Sequence, residues 1–184
     1  MNDLEPSANS GAPVFLIGFM GAGKTTVGRT LARMSGRQFI DLDDLIEQRA
    51  GMTVREVFAS AGEAEFRRLE SEAMRSCKDL KRVVIALGGG AYEAEDNREA
   101  LRSIGVTVWI DCPLEICLAR IGADEMRPLH REEGEMAKLL DRRRPNYALA
   151  DQRVFAGSLS PEAVALEISD LVGLPRLPNT RDDM

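Results

Sequence analysis

Short apolar runs alternate with longer amphipathic stretches along this chain. Residues 14–18, 39–43, 83–87, 106–111 and 153–156 are rich in Val, Ile, Phe and Trp. Such brief runs, with little polar alternation, have the texture of strands buried on both faces. Between them apolar residues recur at helical spacing, and strand–helix alternation predicts a mostly parallel sheet. The first helix is predicted from about Lys24 to Met34. Another spans 62–77, where Phe66, Leu69, Ala73 and Cys77 form one stripe. Pro113, after the fourth strand, suits a first helical position. Ser160-Pro161-Glu162 opens the last helix with a capping hydroxyl, a proline and an acid. No repeat or linker divides the chain, so the expectation is one α/β domain over 13–173, a flexible leader at 1–12 and a flexible tail at 174–184.

Composition narrows the function. The 184 residues carry 24 basic and 30 acidic side chains, a net charge of −6, which argues against a phosphate-backbone binder. No apolar run is long enough to span a membrane, and the N-terminus lacks the basic stretch and apolar core of a signal peptide. Cys77, Cys112 and Cys117 are odd in number and form no CxxC pair, as expected of reduced thiols. His130 is the one histidine, so a zinc site of several histidines is excluded. The expectation is a cytoplasmic protein that works away from nucleic acid and membrane.

Gly18-Phe19-Met20-Gly21-Ala22-Gly23-Lys24-Thr25 matches G-x-x-x-x-G-K-[ST] and lies between a predicted strand and helix. Glycines let backbone amides converge, the helix adds its positive end, and together they hold a polyphosphate. Lys24 would reach the β- and γ-phosphates, and the Thr25 hydroxyl would serve Mg²⁺. The motif predicts nucleotide binding without separating kinases from GTPases or motor ATPases.

Four further features stand near predicted strand or helix ends. Asp41 and Asp43, two apart at a strand end, point the same way. They fit a metal-bound water and an acceptor hydroxyl, or helix capping, with Asp44 the better capping candidate. Gly88-Gly89-Gly90-Ala91 follows the third strand, as a tight exit or a place where something approaches the backbone closely. Glu70 falls within the apolar stripe of its helix and needs a partner. Arg67, three residues earlier, can be aimed inward by it, or can pair in solvent with Glu63. Arg142-Arg143-Arg144-Pro145 closes a later helix, which the proline is predicted to end, leaving Arg143 in its last turn. The polar segment 121–134, flanked by Gly122 and Gly134, is either a surface loop or a lid, with Arg127 suited to meet phosphoryl charge.

These motifs, with Gly62-Glu63, Phe66-Arg67-Arg68, Arg127-Pro128-Leu129 and Arg143-x-Pro145-x-Tyr147, together resemble the shikimate kinase family over about residues 14–172. The resemblance implies a three-layer αβα sandwich with a five-stranded parallel sheet ordered 2-3-1-4-5. It implies ATP-dependent phosphorylation of the 3-hydroxyl of shikimate, on the way to chorismate and the aromatic amino acids. By position, Asp43 would act as base at the acceptor hydroxyl, and Lys24 and Arg127 would neutralise the moving phosphoryl group. Gly21, Ala22, Gly23, Lys24, Thr25, Thr26, Arg120, Arg127 and Arg153 would bind ATP. Arg67, Arg143, Gly88, Gly89 and Gly90 would join Asp43 in binding shikimate. Thr25 and, through water, Asp41 would serve Mg²⁺. A gluconate-type kinase shares the phosphate loop, but the GGGA turn and Phe66-Arg67-Arg68 favour shikimate. A nucleoside monophosphate kinase would need to read a second base. A non-catalytic nucleotide-binding regulator would have no use for Asp43.

Overall fold

A computed structural model describes residues 11–121 and 133–177. Strands β1 (Val14–Ile17), β2 (Gln38–Asp41), β3 (Val83–Ala86), β4 (Val106–Asp111) and β5 (Gln152–Phe155) form one parallel sheet in the order β2-β3-β1-β4-β5. The connecting helices are α1 (Lys24–Ser35), α2 (Leu42–Ala50), α3 (Val54–Ser76), α4 (Glu95–Ile104), α5 (Leu114–Arg120), α6 (Glu133–Tyr147) and α7 (Pro161–Leu171). The chain passes from β1 to β2 on one side, returns through β3, and crosses to β4 on the other side. Connections that diverge in this way open a crevice at the carboxyl ends of the central strands.

The expectation of strands buried on both faces holds for β1 and β3, whose every residue is buried. It fails at the edges, where Gln38, Arg153 and Phe155 are exposed, because an edge strand lacks a neighbour on one side. The core runs from Phe15 and Leu16 through Val84 and Ile85 to Val108 and Ile110, all without measurable exposure.

Local chemistry sets the element ends. The Ser160 hydroxyl accepts from the Ala163 amide and Pro161 begins α7, as expected. Pro113 instead caps α5 from outside, with Leu114 the first helical residue. Gly62, at φ 80 and ψ 178, breaks α3 in two, and the predicted 62–77 helix is its second part. The first part starts at Thr53, which forms a reciprocal capping box with Glu56. Pro145 does not end α6, which continues to Tyr147. Proline removes one donor, and the Ala148 amide still reaches the Arg144 carbonyl at 2.9 Å, so the helical pattern carries past it.

The ends of the described chain are tied down further than expected. Gly11 accepts from the Arg82 amide at 2.8 Å and Ala12 from the Arg37 guanidinium at 2.5 Å. Leu174 is buried, and the Leu177 amide donates to the Met34 carbonyl at 2.8 Å. The remainder of the predicted leader and tail, 1–10 and 178–184, lies outside the described residues, as does 122–132 of the predicted lid. Gly134, taken as a flank of that lid, belongs to the first turn of α6.

Leu16 is central and fully enclosed. Leu16→Ala should therefore destabilise the fold by about 2–5 kcal/mol, read as a lower urea midpoint with an unchanged slope.

Candidate active site

The loop after β1 turns on Gly18, Gly21 and Gly23, whose φ angles are 143, 72 and 92. Gly23 caps α1 without a side-chain hydrogen bond, and the first turn of α1 holds no acid. The amides at that end therefore remain available to an anion, which the helix dipole also favours. The Lys24 ammonium donates to the Gly18 and Phe19 carbonyls at 3.0 and 2.9 Å, lying across the loop it follows.

The Thr25 hydroxyl donates to Asp41 Oδ2 at 2.8 Å, which joins the start of α1 to the end of β2. Asp41, and not Asp44, caps α2: its Oδ1 accepts from the Asp43 amide at 3.2 Å. That bond ends the strand at Asp41, so Asp43 sits in the first helical turn rather than on the strand as expected. Burial pushes the Asp41 carboxyl up and the charges of Asp43 and Asp44 add to this, while the Thr25 bond opposes it. A cation beside Asp41 would favour its ionised form. Among the described residues, no three His, Cys, Asp or Glu side chains gather as a metal cluster. Mg²⁺ needs no such cluster, since it takes few protein oxygens and keeps waters and phosphate oxygens. Thr25 and Asp41 fit that donor set.

A cavity of about 570 Å³ runs from Gly21, Lys24 and Thr25 past Asp41 and Asp43 to Gly88 and Gly89. That volume is typical of small-molecule sites. A second cavity of about 310 Å³ shares Gly23, Thr26 and Arg120 with it and is walled elsewhere by Ala22, Val27, Ala156, Leu159, Pro161 and Val164. Arg153, which the resemblance assigns to ATP, lines neither cavity. Its guanidinium bonds Asp111 at 2.5 Å and lies 4.7 Å from the Trp109 ring centroid, and only Ala156, Leu159 and Pro161 of the 153–161 segment reach the wall.

The glycine turn explains its own composition. A Cβ on Gly88 would lie 2.7 Å from Glu70 Oε1 and 3.2 Å from Asp43 Oδ1. On Gly89 it would meet Arg143 Nη1 at 3.3 Å, and on Gly90 Arg67 Nη2 at 2.5 Å. None of the three has positive φ, so it is close approach that calls for glycine here. Two acids and two arginines, drawn from α2, α3 and α6, thus converge on one turn.

Both partners foreseen for Arg67 are present. Glu70 Oε2 accepts from Nη1 at 2.7 Å with its side chain fully buried, whereas Glu63, 3.3 Å from Nη2, is largely exposed. Exposed pairs contribute little, so Glu70 is the contact that aims Arg67. Burial raises the Glu70 carboxyl, against the pull of Arg67. Arg143 is buried while Arg142 and Arg144 are exposed, and this selects one of the three neighbouring arginines. Arg127 lies outside the described residues.

Sequence reasoning singled out neither Glu93 nor Asn97 and gave Tyr147 no task. Glu93 pairs with Arg143 across fifty positions of sequence. The Tyr147 hydroxyl donates to the Gly89 carbonyl at 2.5 Å, and the buried Asn97 amide to the Ala91 carbonyl at 3.0 Å. Only the R-x-P-x-Y spacing hinted at Tyr147. Nothing local marks the other two.

Known proteins resemble this chain along most of its length. The family described as shikimate kinase matches residues 20–172. The shikimate kinase of Moorella thermoacetica is 45% identical over 85% of this chain and 92% of its own. That of Geobacter sulfurreducens is 43% identical over 89% and 92%. The solved shikimate kinase of Acinetobacter baumannii in complex with shikimate superposes with a TM-score of 0.83 at 36% identity, covering 88% of this chain and 92% of that one.

Two thiols back this site. Cys112 and Cys117 are buried beside the loop, and burial with the neighbouring Cys112 pushes the Cys117 thiol up to about 12. Thiolates are the reactive form. All three cysteines are buried, so they should stay silent to Ellman's reagent at pH 8 in the native protein and react in denaturant; fast native labelling would contradict their placement.

Proposed function

The chain belongs to the shikimate kinase family, and from that premise we propose how its residues divide the work of the reaction. The enzyme catalyses ATP-dependent phosphorylation of the 3-hydroxyl of shikimate, giving shikimate 3-phosphate and ADP in aromatic biosynthesis. One observation carries the division proposed here: a single cavity joins the phosphate loop to Asp43 and the glycine turn.

In this reading the amides of Gly21, Ala22, Gly23, Lys24, Thr25 and Thr26 take the ATP phosphates. The base and its sugar occupy the second cavity, under Arg120. Arg67 and Arg143 clamp the shikimate carboxylate in the bidentate manner that suits guanidinium, against Gly88, Gly89 and Gly90. The Asp43 carboxylate orients the 3-hydroxyl and accepts its proton as the new O–P bond forms and the bond from the γ-phosphorus to ADP breaks. The transition state for such transfer is loose, so orientation is much of what an aspartate supplies. The Lys24 ammonium, released from the loop carbonyls, follows the charge that shifts onto the leaving oxygen. Arg127 is assigned to the same charge on the strength of the Arg127-Pro128-Leu129 motif alone. Thr25 and Asp41, the latter through water, would hold Mg²⁺, which supplies neutralisation of phosphate charge when bound.

The net charge of −6 supports a partner set of small molecules without nucleic acid. Among the described residues no helix is long and apolar enough to cross a membrane. We take the enzyme to be a cytoplasmic monomer whose described segments belong to one domain.

ATP turnover measured with and without shikimate, with the product's phosphate position determined, tests the reaction directly. Asp43→Asn should lower kcat by about 10²-fold or more with ADP affinity retained, and near-normal turnover would refute the assigned base. Arg67→Ala should raise the KM for shikimate about tenfold or more and leave that for ATP unchanged. An equal rise in both would contradict the clamp.

A further inference from the structure

We propose that Glu93 is the positioning residue for Arg143: it holds the guanidinium by Nε, so that the Nη edge faces the substrate carboxylate across Gly89. The proposal rests on the assignment of Arg143 to that carboxylate.

The reasoning starts from burial. The Arg143 side chain is only 7% exposed, and a guanidinium so enclosed needs a compensating acid and satisfied N–H groups. Glu93 Oε1 accepts from Arg143 Nε. Its other oxygen, Oε2, lies 3.7 Å from the exposed Arg142, so both carboxylate oxygens face arginine. Nε is turned to Glu93 and the Nη edge to the glycine turn, where Nη1 is the atom closest to the Cβ position of Gly89. Gly89 lines the main cavity and neither Arg143 nor Glu93 does, but Arg143 lies against Gly89 and Glu93 lies behind Arg143. Glu93 therefore acts on substrate through Arg143.

The backbone under Glu93 is fixed. Its amide donates to the Gly90 carbonyl at 3.1 Å, and its carbonyl accepts from Arg98 at 2.6 Å. The acid is thus mounted on the glycine turn, and the ion pair ties that turn to α6. Arg67, on the other side, is held by its Nη nitrogens instead, Nη1 by Glu70 and Nη2 by Glu63.

A carboxylate near a site for an anion could instead act by repulsion, and the two roles have opposite signs. Positioning predicts that Glu93→Ala raises the KM for shikimate at least about fivefold with the KM for ATP little changed, while the melting midpoint falls because the enclosed Arg143 loses its acid. Repulsion predicts a lower KM. Glu93→Gln, which keeps an acceptor for Nε, should return KM to within about threefold of the parent. In an Arg143→Ala background, Glu93→Ala should add nothing, because its route to the substrate is gone. Should the alanine variant not fold, Glu93→Asp replaces it with the same expectation, since the shorter arm draws the oxygen away from Nε.

An unchanged or lowered KM in Glu93→Ala, a glutamine variant as impaired as the alanine one, or an additive effect in the double variant would each overturn the proposal. A separate result identifies failure of its premise: if Arg143→Ala alone leaves the KM for shikimate unchanged, Arg143 is not the clamp.

Discussion

Charged groups kept out of water must be neutralised by neighbours a few ångströms away, and the cleft of this protein is arranged around that requirement. Glu70 has no exposure, Arg143 almost none, and Arg67 is half-buried. They are brought together over a turn that has no side chains of its own. A methyl group on any of the three glycines would press on one of these charged ends. Core positions tolerate such intrusion poorly, because packed neighbours give little. The triplet is therefore a packing constraint imposed by side chains from distant parts of the chain, and the substrate meets what those side chains leave open.

The fold makes this convergence possible. β3 lies beside β1 in the middle of the sheet, so the turn after β3 and the phosphate loop after β1 open on the same crevice. The Thr25–Asp41 bond then links the start of α1 to the end of β2. Donor-binding and acceptor-binding parts thus share one rigid floor, and proximity of this kind can supply a large part of the rate of a two-substrate reaction. The resulting site draws on four parallel strands or their following helices, with few of its residues adjacent in sequence.

Legibility in the sequence followed the range of the interaction. The phosphate loop could be read because its glycines, lysine and threonine are consecutive and act through local backbone. The sheet could be read from apolar runs, apart from its exposed edges. The Glu70–Arg67 pair was accessible from helical spacing, since three residues separate the two. Asp41 and Asp43 were recognised as a pair, but the choice between strand and helix at Asp43 depended on one side-chain–amide bond that fixes the cap at Asp41. Arg153 was assigned to ATP by the resemblance, and its ties to Asp111 and Trp109, more than forty positions away, could not be read from its own neighbours. The tie from Glu93 to Arg143 spans fifty positions and leaves no periodic trace. The helix that carries Arg143 also runs through a proline that reads as a stop.

The last described residues bear on how the protein can be handled. Leu174 fills the core and Leu177 hydrogen-bonds to the end of α1, which is the helix that begins at the phosphate loop. A shortened version cut at Gly173, just past the end of the final helix at Leu171, would strip that support from the far end of α1. An affinity handle fused directly at that point would crowd the same seam.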